Sequence, residues 1–140
     1  MDNSKITDVW IDTNVVLRYL MHDDEQLFAE SCKVMEMAER SLIKLHLSMV
    51  NIAELVWVLN SFYNYSKEQT AETVSEVVNA QGMEAEEREL VLGALADFAT
   101  LNVDFIDAYL AAKAVGSDWP VFTFDKAHFN RLAAERFEPK

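Results

Sequence analysis

The sequence lacks the features of a secreted or membrane protein. It contains a single cysteine, Cys32, so no disulfide can form within the chain, and a reducing compartment suits such a protein. No apolar stretch approaches the length of a membrane span, and no basic region followed by an apolar run opens the chain. These absences predict a cytoplasmic protein that does not enter a membrane.

Basic residues are scarce, with 12 lysines and arginines against 24 aspartates and glutamates and a net charge of -12. A protein that only binds nucleic acid usually needs a basic surface, so this balance counts against a plain nucleic-acid-binding module. Much of the acidic excess lies between residues 66 and 100, where solvated helix faces can carry it. Carboxylates gathered at one site can also be neutralised by divalent cations. The charge is therefore compatible with a metal-dependent nuclease.

No repeat, low-complexity tract or linker divides the 140 residues, and 51% of them are hydrophobic, which is enough to build a core. We therefore predict one domain over residues 1–140. Short apolar runs predict strands at residues 9–11, 42–47 and 121–124, with an edge strand at 136–138. Amphipathic segments between these runs predict helices at residues 15–21, 25–38, 48–59, 66–78, 84–101, 105–115 and 126–134. Strands that alternate with helices favour an α/β fold with a mainly parallel sheet.

Acidic residues occupy conspicuous positions in four of these segments. Asp12 and Asp125 each follow an apolar strand, and open parallel sheets bind ligands at the carboxyl ends of their strands. Glu54 interrupts an apolar helix, and Asp104 and Asp107 stand three residues apart at a helix start, on one face. Oxygen-rich clusters of this kind suit Mg²⁺ or Mn²⁺. Such ions promote displacement at a phosphodiester by activating a bound water.

Each acid also has an ordinary structural explanation. Asp12 suits a polar turn, Glu54 suits a solvated helix face, and Asp104 and Asp125 are natural helix caps. The three histidines are scattered over three segments, so no Cys/His spacing suits zinc. The case for a metal site depends on the acids occurring together in one α/β chain.

Four short segments resemble the successive motifs of PIN-domain ribonucleases, and most closely those of VapC-type toxins of bacterial toxin–antitoxin pairs. They read IDTNV at residues 11–15, AELVWVL at 53–59, VDFIDA at 103–108 and TFD at 123–125. The resemblance extends over nearly the whole chain. It implies a three-layer α/β/α sandwich with a central, mainly parallel sheet. It also implies an Mg²⁺- or Mn²⁺-dependent endoribonuclease that hydrolyses RNA through a metal-activated water.

The resemblance implies roles for individual residues. The metal-binding and catalytic acids would be Asp12, Glu54, Asp107 and Asp125. Supporting polar residues would be Asp104, as an additional acid, and Asn14 and Thr123, which would orient ligands or water. Three cations near the motifs would approach RNA phosphates, or serve as ordinary surface charges: Arg18, Lys126 and Arg131.

A toxin of this type would cleave transfer RNA or another structured RNA, form a homodimer and be inhibited by a cognate antitoxin. Aromatic residues at the end of the Glu54 helix would form a dimer or antitoxin surface, or pack into the core: Trp57, Phe62, Tyr63 and Tyr65. Two alternatives stay open, a catalytically inactive PIN-like module that binds a protein and an aspartyl phosphotransferase with Asp12 as the covalent nucleophile. The second chemistry often places another aspartate two residues on, where this chain has Asn14.

Overall fold

The computed structural model describes residues 6–140, in which a parallel three-stranded sheet is flanked by seven α-helices. The strands, in their order across the sheet, are β1 (Thr7–Trp10), β2 (Ile43–Leu47) and β3 (Met83–Ala85). Val9 is aligned with Leu45, and Leu45 with Met83. Because the strands are parallel, their carboxyl ends meet at one edge of the sheet. The predicted α/β/α fold class with a parallel sheet is confirmed.

Helices follow each of the three strands along the chain. They are α1 (Thr13–Met21), α2 (Glu25–Glu39), α3 (Met49–Trp57), α4 (Lys67–Val78), α5 (Arg88–Thr100), α6 (Phe105–Ser117) and α7 (Lys126–Phe129). A π-helical turn, Val58–Phe62, continues α3. The sequence Ser-Lys-Glu-Gln at residues 66–69 predicts a capping box at the start of a helix. In the structure the side chains of Ser66 and Gln69 each bond the backbone of the other residue at the start of α4.

The core lies between the sheet and the helices. Leu45 and Leu47, on one face of β2, are fully buried, and they share one apolar cluster with Ile52, Leu59 and Val74 from the helices. Each such aliphatic side chain contributes about 1.5–3 kcal/mol on burial, so this cluster provides most of the driving force for folding. Within residues 6–140, no helix has both the length and the apolar character needed to cross a bilayer.

The strand β3 was not predicted from the sequence. Residues 84–87 were predicted to be helical, but α5 begins only at Arg88, because Glu87 takes the left-handed conformation with a φ of 49°. Gly82 precedes β3 with a φ of 83°, and a Cβ there would lie 2.4 Å from the carbonyl oxygen of Ala38. Glycine therefore lets the chain turn closely past α2 into a strand too short to show an apolar pattern.

The predicted strand at residues 121–124 is wrong for most of its length. Only Val121 pairs, in an isolated parallel bridge to Arg136, and the edge strand predicted from Arg136 onward is reduced to the same bridge. Phe122 and Phe124 are 56% and 90% exposed, so the run does not enter the core as a sheet strand would. An apolar run indicates a capacity to form a strand, but a strand also needs a neighbour with which to pair.

Two helix ends also differ from the prediction. Helix α6 continues past Gly116 to Ser117, and Asp118 then takes the left-handed conformation with a φ of 60°. Aspartate tolerates this conformation better than most residues, so the helix needs no glycine at its end. Helix α7 ends at Phe129, five residues before its predicted end, and irregular turns follow it.

Candidate metal centre

Helices α1 and α3 begin at the same edge of the sheet, because β1 and β2 lead directly into them. Asp12 is the N-cap residue of α1 by its backbone, but its exposed carboxylate makes no capping bond. The buried hydroxyl of Thr13 accepts a hydrogen bond of 2.9 Å from the Nδ2 amide of Asn51. Ser48 caps α3 and donates its hydroxyl to Oδ1 of Asn51 at 2.6 Å. This network fixes both helix starts and leaves the carboxylate of Asp12 facing solvent.

Three aspartates and a histidine meet where α6 and α7 begin. The Nδ1 atom of His128 lies 2.8 Å from Oδ2 of Asp107, 3.1 Å from Oδ2 of Asp125 and 3.8 Å from Oδ2 of Asp104. The side chains of His128 and Asp107 are only 24% and 23% exposed, whereas that of Asp104 is 71% exposed. We call these four residues the acid–histidine cluster. Its inner pair is Asp107 with His128, and Asp104 forms its outer rim.

The helix caps show which carboxylates of the cluster are free. Asp104 is the N-cap residue of α6, but its side chain accepts no capping bond. Asp125 does cap α7, because its Oδ1 accepts the N–H of His128 at 3.1 Å while Oδ2 faces the ring of the same residue. Thr123 holds Asp125 in turn, with Oγ1 accepting its N–H at 3.0 Å. The capping explanation thus holds for the side chain of Asp125 and not for that of Asp104.

Two cations hold the loop that leads to Asp104. The Nζ atom of Lys67 donates to the carbonyl oxygen of Val103 at 3.0 Å, and Nη1 of Arg131 donates to that of Asn102 at 2.8 Å. Charged donors make the stronger protein hydrogen bonds, so these contacts fix the backbone before α6. Arg131, which the sequence suggests for RNA contact, therefore also has a structural role beside the cluster.

The other predicted RNA-contacting residues lie on the surface. Arg18 forms an ion pair of 3.1 Å with Asp23, in which both side chains are about two-fifths exposed. Lys126 is the exposed first residue of α7, and the contacts of Arg18 and Lys126 with RNA stay predictions. Asn14, which the resemblance names as a residue that orients ligands or water, is exposed in the first turn of α1, and that role also stays a prediction.

A cleft of about 510 Å³ opens beside the cluster. Ala53 and Trp57 of α3 form one wall, and Asp104 and Asp107 line the other. Helix α3 packs against both α1 and α6, the helix that carries Asp107. Glu54, which follows Ala53 on α3, is exposed.

The structure brings together three of the five acids named by the sequence. Those three approach His128. The one group of potential metal ligands found in residues 6–140 comprises Asp104, Asp107 and His128, and it leaves out Asp12, Glu54 and Asp125. Two strand-end acids were expected to meet across the sheet, but residues 121–124 do not join it, so Asp125 reaches the cluster from the start of α7 instead. The assignment of Asp12 and Glu54 as metal ligands stays a prediction.

His128 is the member of the cluster that the sequence analysis missed. It lies 21 residues from Asp107 along the chain, so the separation in sequence gives no sign of their contact. One local signal was present, since His128 stands three residues after Asp125, a spacing that allows contact across one helical turn.

The residues present fit a divalent cation. One ligand atom from each of Asp104, Asp107 and His128 lies within 4.8 Å of the others. Carboxylate oxygens suit Mg²⁺ and Mn²⁺, and imidazole nitrogen suits the transition metals.

A second polar group ties α5 to α6. The Nζ atom of Lys113 donates to Oε2 of Glu87 at 2.8 Å, and the Tyr109 hydroxyl donates to Oε1 of the same carboxylate. The hydrogen bond from Lys113 lowers the pKa of the Glu87 carboxyl below its usual range, and the hydrogen bond from Tyr109 lowers it further. Burial of the Tyr109 hydroxyl, together with its hydrogen bond to the negatively charged Glu87 carboxylate, raises the pKa of Tyr109 to about 12. This group holds the helix that carries Asp107 against the neighbouring helix.

The four aromatic residues after Glu54 divide into two pairs. Trp57 and Phe62 are 65% and 68% exposed, whereas Tyr63 and Tyr65 are half-buried and pack against the core. Burial raises the pKa of the Tyr63 hydroxyl, and the negative charge of the nearby Asp23 carboxylate raises it further. The first pair is free to contact a partner, and the second is mainly structural.

A family model described as PIN domain matches residues 9–135. No curated protein matches the chain. The matched range contains all five acids named above, together with His128.

Proposed function

This chain belongs to the PIN-domain family, whose members are generally nucleases, and from that premise we propose that it is an Mg²⁺- or Mn²⁺-dependent endoribonuclease. The observation that carries the proposal is the convergence of three aspartates on one nitrogen of His128. The proposal includes residues 1–140 as one nuclease domain, since the family match leaves few residues outside it.

The cluster assigns different tasks to its carboxylates. Asp107 is largely buried and is the proposed inner ligand, while the exposed Asp104 faces the cleft that would admit RNA. Asp125 is held by its cap on α7 and by Thr123, which keeps its Oδ2 aimed inward. When bound, the divalent cation supplies positive charge that lowers the pKa of water and stabilises charge on the reacting phosphate.

We propose Asp12 and Glu54 as the remaining acidic ligands. Asp12 carries an uncapped carboxylate at the carboxyl end of β1, where open parallel sheets bind ligands. Glu54 lies on α3, which packs against both α1 and α6. Asn14 would orient water beside Asp12, and Lys126 would contact an RNA phosphate beside Asp125.

The isosteric variant Asp12→Asn tests this assignment. We expect it to fold with an unchanged circular dichroism spectrum and to lose at least 100-fold in RNA cleavage, because the anionic ligand is removed. Glu72→Gln, on the exposed surface of α4, is the matched control and should cleave at the wild-type rate. Wild-type cleavage by purified Asp12→Asn would remove Asp12 from the mechanism.

Metal removal separates an enzyme from an inactive binding module of the same fold. Treatment with EDTA should abolish RNA cleavage by the wild-type protein, and added Mn²⁺ or Mg²⁺ should restore it. Cleavage that persists in EDTA would contradict the metal dependence. An absence of cleavage with either ion, on transfer RNA and on other structured RNAs, would favour the inactive module.

We further propose that the enzyme is the cytoplasmic toxin of a toxin–antitoxin pair, as its resemblance to VapC-type proteins suggests. Its partners would be transfer RNA or another structured RNA, a second copy of the chain and a cognate antitoxin. The proposed contact surface comprises the exposed Trp57, which lines the cleft beside the acid–histidine cluster, and the exposed Phe62 at the end of the π-helical turn after α3. The single Cys32 supports a reducing compartment.

Expression in bacterial cells tests the toxin role. Wild-type protein should arrest growth, while Asp107→Asn should not, and co-expression of the product of an adjacent small gene should relieve the arrest. Unimpaired growth with active wild-type nuclease would contradict the toxin role and leave the nuclease proposal intact. Sedimentation of the wild-type chain and of Trp57→Ser would test the dimer.

A further inference from the structure

We infer that His128 supplies a nitrogen ligand to the divalent cation of the acid–histidine cluster and thereby makes the site selective for Mn²⁺ over Mg²⁺. The inference deepens the proposed metal-dependent nuclease and rests on it. It concerns a residue outside the set of acids that the sequence motifs name.

Hydrogen bonding alone does not account for the contacts of the ring. Three carboxylate oxygens approach Nδ1 of His128, at 2.8, 3.1 and 3.8 Å. A ring nitrogen carries at most one hydrogen, so Nδ1 can donate one good hydrogen bond, and the nearest acceptor is Asp107. The oxygens of Asp125 and Asp104 also approach Nδ1, but no second hydrogen on that nitrogen is left for them to accept. Several carboxylates around one ring nitrogen concentrate negative charge at a point where a bound cation would neutralise it.

The ring is held in place by its own segment of chain. The N–H of His128 donates to Oδ1 of Asp125, and the next residue, Phe129, is buried with 2% exposure. The side chain of His128 is itself only 24% exposed. Nδ1 therefore faces the acids as a consequence of the α7 cap, and binding a cation requires little reorganisation of the ring.

The spacing of the donor atoms suits one ion. Neighbouring ligands of an octahedral cation, with bonds of about 2.1 Å at right angles, lie roughly 3 Å apart. The distances from Nδ1 to Asp107 and Asp125 are 2.8 and 3.1 Å. One ligand atom from each of Asp104, Asp107 and His128 lies within 4.8 Å of the others, so these three residues can bind one cation with small shifts.

The donor types determine which cation is favoured. Mg²⁺ prefers oxygen ligands and retains several waters, whereas imidazole nitrogen suits transition metals. A site of carboxylates alone distinguishes weakly between Mg²⁺ and Mn²⁺. Addition of the nitrogen of His128 raises the affinity for Mn²⁺ and does not help Mg²⁺.

Pulsed electron paramagnetic resonance of Mn²⁺ bound to the wild-type protein tests the nitrogen ligand directly and needs no variant. We expect a nitrogen hyperfine coupling that changes pattern when the histidines are labelled with ¹⁵N. Its absence in Mn²⁺-loaded protein would overturn the inference.

Calorimetry on variants tests the selectivity. His128→Ala should weaken Mn²⁺ binding by about 10- to 100-fold and change Mg²⁺ binding by less than roughly threefold. His46→Ala is the matched control, because His46 also contacts a carboxylate, that of Asp8 at 2.8 Å, but lies on β2 outside the cluster. His128→Gln, which keeps a polar side chain, replaces His128→Ala if the latter does not fold. Equal losses for both ions would mean that His128 only positions Asp107, and would also overturn the inference.

The failure of this inference and that of the proposed nuclease can be told apart. RNA cleavage that depends on Asp107, without nitrogen coupling, would refute the ligand role of His128 and leave the nuclease intact. Nitrogen coupling in a protein that cleaves no RNA would support the ligand role and refute the nuclease.

Discussion

The side-chain amide of Asn51 donates a hydrogen bond of 2.9 Å to the hydroxyl of Thr13, and this bond joins the helix after β1 to the helix after β2. Both helices begin at the edge of the sheet where the carboxylate of Asp12 faces solvent. Thr13 is 2% exposed, so the contact is shielded from competing water. The position of Asp12 relative to α3 therefore depends on a buried polar pair.

We expect Thr13→Val to lower the free energy of unfolding by about 1–2 kcal/mol, because the near-isosteric change leaves the Nδ2 amide of Asn51 without its acceptor. Urea unfolding followed by circular dichroism measures the difference. Thr100→Val is the control, since the hydroxyl of Thr100 is exposed and bonds only within its own helix. That control should change stability by less than about 0.5 kcal/mol. Equal effects of the two variants would show that the buried Thr13–Asn51 hydrogen bond contributes no more to stability than the exposed one of Thr100.

Substitution by alanine should change stability in opposite directions at two glycines, Gly82 and Gly93. Gly82→Ala should destabilise the protein by at least about 2 kcal/mol, because its φ of 83° is strained for alanine and the new Cβ would lie 2.4 Å from the carbonyl oxygen of Ala38. Gly93→Ala should instead stabilise it by roughly 0.5–1 kcal/mol, since Gly93 lies inside α5 with open space where the Cβ would go. Thermal unfolding of both variants checks the signs. A neutral Gly82→Ala would contradict the close approach of α2.

Asp125 combines a capping bond with a place in the acid–histidine cluster, and two substitutions separate these roles. Asp125→Asn keeps an oxygen that can accept the N–H of His128 but removes the charge. It should reduce metal-dependent cleavage by at least about 100-fold, with less than about 0.5 kcal/mol of lost stability. Asp125→Ala should lose activity and about 1 kcal/mol of stability. Full activity in Asp125→Asn would leave Asp125 as a cap alone.

The pH dependence of stability should include a contribution from Glu87. The pKa of its carboxyl is lowered in the folded protein by the bonds from Lys113 and Tyr109, from an ordinary value of 4.5. The stabilisation is therefore complete above about pH 4.5 and disappears as the pH falls through the lower pKa of the folded state.

The variant Glu87→Gln isolates that contribution. At pH 7 it should be less stable than the wild type by about 0.5–1 kcal/mol, a value suited to a partly exposed ion pair, and the difference should shrink below pH 4.5. Urea unfolding at several pH values between 3 and 7 provides the measurement. Glu89→Gln is the control on the same helix. A stability difference between the two proteins that grows as the pH falls would contradict the lowered pKa of Glu87.

Sequence reasoning succeeded where a signal is local. The capping box of Ser66 and Gln69 and the strand predicted at residues 42–47 each depend on residues close in sequence, and both are present, the strand as β2. It failed where the outcome depends on a distant neighbour. Residues 121–124 form no sheet strand although they are apolar, and β3 forms although it is only three residues long, because β2 is available beside it.

The candidate site shows the same division. Asp107 and Asp125 were identified from their positions at helix and strand ends. Their meeting with His128 depends on how α7 packs on α6, which nothing in the local sequence encodes. Spacing along the chain finds ligands that share one helix, and it misses those that separate helices bring together.

The π-helical turn after α3 marks a position where the length of the chain can vary. The N–H of Tyr63 bonds the carbonyl oxygen of Val58, five residues back, so the turn holds one residue more than an α-helical turn would. Deletion of one residue from Val58–Phe62 would convert the turn to ordinary helix and leave the following chain close to its present orientation, because the turn already holds one extra residue. Asn60 and Ser61, which line the cleft, would be the residues displaced. A single-codon deletion here would thus reshape the entrance to the acidic cleft while the sheet and the acid–histidine cluster stay in place.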